Sequence, residues 1–121
     1  MTHKAFSFEK LETWKVAKDF AIFLYQLTSK FPDTEKYDLI RQLRRAAVGI
    51  PSHLAEGSGR ITGKDKAHFT SIAYSTLMET VNQLILSYEF GYLDEGDYFL
   101  ARNKASHLSY LLSRLRKAQL Q

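Results

Sequence analysis

The residues of this chain with the most chemical potential are a few acid–histidine pairs, one Gly/Ser-rich turn and a group of arginines. Asp65-x-x-His68 has the three-residue spacing that puts two ligands on one side of a helix, and His53-x-x-Glu56 has it reversed. A di-iron bundle needs Glu-x-x-His on two helices and further inward-facing Glu residues. No Glu here is followed by His at the third position, and both pairs read better as structural residues than as ligands. His3 and His107 have no sequence-evident partner. Ser52, Ser71, Ser75, Ser87, Ser106, Ser109 and Ser113 lie in helical segments without the strained elbow or the Ser-His-acid pattern of a nucleophile. Gly57-Ser58-Gly59-Arg60 follows a helix, not a strand, and lacks the Gly-Lys-Ser/Thr ending of a phosphate loop. Cysteine is absent, which removes disulfides, thiolate metal sites and thiol nucleophiles and fits a reducing cytosol. Neither an enzyme nor a metal, cofactor or small-molecule site is expected.

Charge is the remaining chemistry. Lys and Arg number 17 against 13 Asp and Glu, a net of +4, which permits an anionic partner without demanding one. Arg41, Arg44, Arg45, Arg60, Lys64, Arg114, Arg116 and Lys117 are the candidates for contact with RNA, DNA or a nucleic-acid-processing partner. For Arg44 and Arg45, fastening of helices within or between subunits is an equal alternative. If the second and third helical segments fold back about residues 59–60, positions adding to about 119 oppose each other. That brings Arg41 or Arg45 near Glu79 and Tyr74, and makes Glu56 and Glu79 candidates for ionic fastening. A solvated charged face is the plain alternative.

These residues need elements to position them. A chain of 121 residues, 45% hydrophobic and 25% charged, suits one domain over 1–121 with a single core and is too apolar for disorder. Phe31-Pro32-Asp33, Gly57-Ser58-Gly59 and Gly91 punctuate it. They leave four segments, near 8–30, 34–56, 63–90 and 94–118, each with apolar residues at three- and four-residue steps. Leu39, Leu43, Ala46, Ala47, Ile50 and Leu54 are one such series, and Phe69, Ile72, Ala73, Leu77, Leu84 and Tyr88 belong to another. Short breaks between long helices predict an all-α, antiparallel up-and-down four-helix bundle. Asp33 with Thr34 and Glu35, Thr62 with Asp65, and Asp94 with Asp97 are the expected caps. Pro51 predicts a bend in the second helix, not a break, because the apolar spacing continues to Leu54. No run approaches membrane-spanning length and the N-terminus does not read as a cleavable signal, so a soluble cytoplasmic protein is expected.

A second apolar series stands off the core stripes. Tyr74, Met78 and Ile85 fall together on the third segment, Tyr37, Val48 and Ala55 flank the second, and Phe99 and Tyr110 interrupt the polar side of the fourth. Surface scatter is one explanation. A subunit interface is the other, favoured because the residues are large, aromatic and on several helices.

The run Gln42-Leu43-Arg44-Arg45-Ala46-Ala47-Val48-Gly49-Ile50-Pro51-Ser52-His53-Leu54-Ala55-Glu56-Gly57 resembles the signature of the four-helix-bundle proteins encoded in intervening sequences of large-subunit ribosomal RNA genes. Phe8-Glu9-Lys10-Leu11 with Trp14, Lys64-Asp65 with Phe69, Leu77-x-Glu79 and Gly91-Tyr92-Leu93 resemble its flanks, so the likeness extends over about residues 6–117. His53 stands where the family usually has Asn, and Ser75-Thr76 where it has Gly-Ser. The resemblance implies a homopentamer with no known catalytic activity, similar to the accessory proteins of diversity-generating retroelements, which bind a reverse transcriptase and nucleic acid. The resulting expectation is a non-enzymatic oligomeric binding or scaffold protein that contacts RNA, DNA or a reverse-transcriptase-like protein. The alternative is a purely protein–protein self-assembling module with no nucleic-acid role.

Overall fold

Capping and apolar spacing account for where the helices lie. The computed structural model describes residues 3–32 and 37–121. A 3-10 turn (Ser7–Lys10) precedes α1 (Glu12–Thr28), α2 (Tyr37–Ser58), α3 (Gly63–Glu89) and α4 (Glu95–Gln119). Among the described residues the chain is all-helical and has no strand. The cap expected of Asp33, Thr34 and Glu35 lies outside the described residues. Thr62 Oγ1 accepts the Asp65 N–H at 3.1 Å, and Asp94 Oδ1 accepts the Asp97 N–H at 2.8 Å. Each bond satisfies a free donor of a first helical turn. After α3 the chain turns at Gly91, the one glycine with a positive φ (+82°), and the Tyr92 N–H donates to the Ser87 carbonyl at 2.9 Å. Glycine takes that left-handed conformation without a Cβ penalty.

The first segment is not one helix. Leu11 is extended (φ −78°, ψ 120°) and separates the 3-10 turn from α1. The Glu9 carboxylate accepts the Phe6 N–H at 2.9 Å and holds this turn. Phe8 is thereby returned edge-on to Trp14, with ring centroids 5.0 Å apart. Local capping and aromatic burial win over continued helix. α2 runs through Pro51 to Ser58 without interruption.

One core cluster draws on all four helices, with Phe20 and Leu24, Leu43 and Ile50, Leu77 and Leu84, and Leu108 and Leu112 at its centre. α1 packs on α2, α2 on α3, α3 on α4, and α4 on α1. Paired positions are Gly49 with Thr76 and Gly57 with Phe69. Thr70 with Gln119 and Tyr88 with Tyr98 lie near the two ends of the α3–α4 pair. In the α2–α3 and α3–α4 pairs the numbers rise on one helix as they fall on the other, consistent with an up-and-down order. No helix among the described residues is long and apolar enough to cross a membrane.

The α2–α3 register differs from expectation. A fold-back about residues 59–60 would have set Gly49 opposite Thr70 and Gly57 opposite Thr62, yet their partners are Thr76 and Phe69. The reason is that α3 overshoots the end of α2: its first residue, Gly63, rests on the backbone carbonyl of Gln119 in α4. α2 ends at Ser58, within the Gly57-Ser58-Gly59 run, and Gly57 itself is still helical. It lies inside α2, is buried, and lets the helix approach the Phe69 side chain.

Candidate functional site

Two features adjoin between α1 and α2. The first is an open apolar groove of about 630 Å³. Its α1 wall is built by Trp14, Lys18, Ile22 and Tyr25, at steps of three and four residues, and its α2 wall by Val48, Pro51, Ser52 and Ala55. Phe8 lines it too, brought there by the turn before α1. The Lys18 ammonium sits 5.5 Å from the centre of the Trp14 ring. Ile22 keeps 50%, Tyr25 44% and Val48 42% of their surface exposed, so the groove presents a continuous oily face to water.

The second feature shares Tyr25. A recess of about 300 Å³ is lined by Tyr25, Tyr37, Ile40, Arg41, Arg44 and Arg45. Its three arginines differ in role. Arg44 Nε donates to Thr28 Oγ1 at 2.8 Å and Nη2 donates to the Tyr25 carbonyl at 3.2 Å, while the guanidinium lies 4.7 Å over the Tyr25 ring. The Thr28 hydroxyl passes its own hydrogen to the Leu24 carbonyl at 2.8 Å. Arg44 therefore fastens α1 to α2. Arg41 is exposed, 5.6 Å over the Tyr37 ring and 3.7 Å from Asp38, an ion pair that water screens. Arg45 is exposed and has no hydrogen-bond or ionic partner among the described residues.

The other basic candidates lie at the far end of the bundle. The Arg60 guanidinium covers the Phe69 ring at 4.8 Å. Arg116 Nε donates to Ser71 Oγ at 2.8 Å, Arg114 stands 5.6 Å over the Tyr110 ring, and Lys64 and Lys117 are exposed. The eight residues thus form two groups at opposite ends, not one strip. Glu79 receives a long 3.5 Å bond from Gln83 Nε2, and Glu56 is exposed. Within one chain neither pairs with Arg41 or Arg45: the ion pairs of the described residues are Lys18–Asp19, Lys30–Asp97 and Arg41–Asp38. The α2–α3 register moves Glu79 away from the level of Arg41 and toward that of Ala46 and Ala47.

The apolar candidates also separate. Val48 belongs to the groove and Tyr37 to the basic recess, while Tyr74 lines a cleft between α3 and α4. Met78, Phe99 and Tyr110 are exposed, whereas Ile85 is half-buried and packs against the core. Sequence reasoning missed the α1 wall of the groove, because the second apolar series it recognised lies on the second, third and fourth segments alone. The four-residue steps from Trp14 through Lys18 to Ile22 are the signal that marks it. Among the described residues no three His, Asp or Glu side chains converge.

A family model described as 23S rRNA-intervening sequence protein matches residues 9–114. No curated protein matches the chain. The matched span takes in the groove, apart from Phe8, and the whole basic recess, together with the helices that build them. With nearly its whole length inside that match and four helices in its fold, the chain belongs to the 23S rRNA-intervening sequence protein family.

Proposed function

We propose that this chain is a non-enzymatic binding protein, an antiparallel up-and-down four-helix bundle that assembles with its own copies and holds single-stranded nucleic acid. The observation that carries the binding role is the recess where Tyr25 and Tyr37 stand among Arg41, Arg44 and Arg45. Tyrosine faces stack bases of any sequence, and guanidinium groups meet backbone phosphates, which is the chemistry of sequence-tolerant single-strand binding. Arg41 and Arg45 have the exposure this needs; Arg44 holds the tyrosine wall in place.

Self-assembly is supported by the adjoining groove. Its concave apolar face lies on α1 and α2, while Phe99 and Tyr110 are exposed on α4. A hollow on one side and a ridge on another give a head-to-tail contact, which closes into a ring when the rotation fits. The five-fold ring implied by the family resemblance is such an assembly.

Fluorescence anisotropy with a labelled single-stranded RNA tests the binding role. Affinity should fall as salt rises, with a log–log slope of about −0.7 for each phosphate neutralised. The Arg41→Ala/Arg45→Ala double variant, which leaves the Arg44 fastener intact, should bind about tenfold more weakly. Salt-insensitive binding, absent binding, or an unchanged affinity in the double variant rejects it.

A further inference from the structure

The cleft between α3 and α4, remote from the α1–α2 recess, has a different chemistry. It measures about 300 Å³ and is lined by Ser71, Tyr74, Ser75, Ser113 and Arg116, with the buried Leu112 and Thr70 at its floor, the Thr70 hydroxyl being engaged with the Lys66 carbonyl and Gln119 Oε1. No carboxylate lines it. Hydroxyls on helices commonly return their hydrogen to a carbonyl three or four residues earlier. Thr28, Ser52, Ser58, Thr76, Thr80, Ser87 and Ser109 all do so here. The three serines of the cleft do not. Ser71 Oγ accepts from Arg116 Nε at 2.8 Å and keeps its own hydrogen free. Ser75 and Ser113 make no hydrogen bond with the described residues. Arg116 is fixed by that one bond, so its two Nη groups remain available, and no acidic residue pairs with it among the described residues.

From this we infer that the α3–α4 cleft is a binding site for a tetrahedral oxyanion, a phosphate or phosphate monoester. The guanidinium supplies charge and a planar pair of donors, and the serine hydroxyls, with Tyr74 at the rim, supply further donors. The cleft has room beyond one phosphate for the group esterified to it. The site does not rest on the α1–α2 recess, and neither depends on the other for its residues.

NMR of the full chain, following backbone amides and the arginine Nε–H signals, tests this in a titration with inorganic phosphate at constant ionic strength. Saturable shifts should gather at Ser71, Ser75, Ser113 and Arg116. Arg116→Gln should weaken binding by about tenfold or more, and Ser75→Ala/Ser113→Ala by about fivefold. The serine double variant keeps the Arg116–Ser71 bond and exchanges two exposed helical serines for a better helix former, so its fold is retained. A 5′-phosphorylated short RNA that binds these residues more tightly than inorganic phosphate, while its 5′-hydroxyl twin does not, makes the strand end the source of the anion. Equal affinity for inorganic phosphate makes it the free ion. Shifts that do not saturate, or that persist unchanged in the serine double variant, overturn the site.

Discussion

Gly57 shows how one missing methyl group sets the spacing of two helices. A Cβ at that position would lie 2.7 Å from Phe69 Cβ, an atom anchored to the α3 backbone and unable to swing aside. Gly57→Ala must therefore push α2 from α3, and a loss of about 1–3 kcal/mol is expected. A lower urea midpoint with an unchanged slope would register it. Gly96 is the contrasting position: it lies in the first turn of α4, and an added Cβ would come no nearer than 3.6 Å to Asp94 Oδ1. Gly96→Ala should leave stability unchanged or raise it by up to about 1 kcal/mol, since alanine loses less backbone freedom on folding. A fall in midpoint for Gly96→Ala comparable to that of Gly57→Ala would refute this account of close approach.

Among the elements, α1 and α2 are joined by a polar fastener at the edge of their apolar contact. Arg44 spans them through the Thr28 hydroxyl and the Tyr25 carbonyl, and its guanidinium also lies over the Tyr25 ring. Truncating it removes two hydrogen bonds from a half-buried place. Arg44→Ala should cost about 1–3 kcal/mol, whereas Arg45→Ala, one residue on and exposed, should stay within about 0.5 kcal/mol. Thermal unfolding of the two variants side by side is the check. Equal effects would mean that Arg44 does not fasten these helices. The neighbouring residues differ in what they touch: Arg44 builds the wall, and Arg45 beside it is exposed.

For the whole molecule, the proposed assembly seats the exposed Phe99 and Tyr110 of α4 against the apolar groove of a neighbouring copy. Sedimentation or native mass measurement should give five times the 14.0 kDa of one chain. Ile22 and Val48 are both partly exposed within one chain, so Ile22→Lys/Val48→Lys should leave the helical signal and unfolding midpoint close to those of the parent chain. The same double variant should sediment as a single subunit, because a charge buried without a partner is costly. A parent chain that is monomeric at micromolar concentration, or a double variant that still assembles, would remove the groove from the interface.

The sequence by itself determined the helices and most of the core. Thr62 and Asp94 cap their own neighbours, and the three-and-four spacing of Leu43, Ile50, Leu77, Leu84, Leu108 and Leu112 names the buried side whatever lies across from it. Those signals are local, reaching four residues at most, which is why they are legible in one dimension. Tertiary structure decided the register of α2 against α3, the separation of the basic residues into two ends, the role of Arg44 and the α1 wall of the groove. Each depends on how closely two backbones approach: Gly57 beneath Phe69, Gly63 against the Gln119 carbonyl, and Arg44 reaching Thr28. No spacing within a single helix carries that information, because close approach is a property of two surfaces in contact.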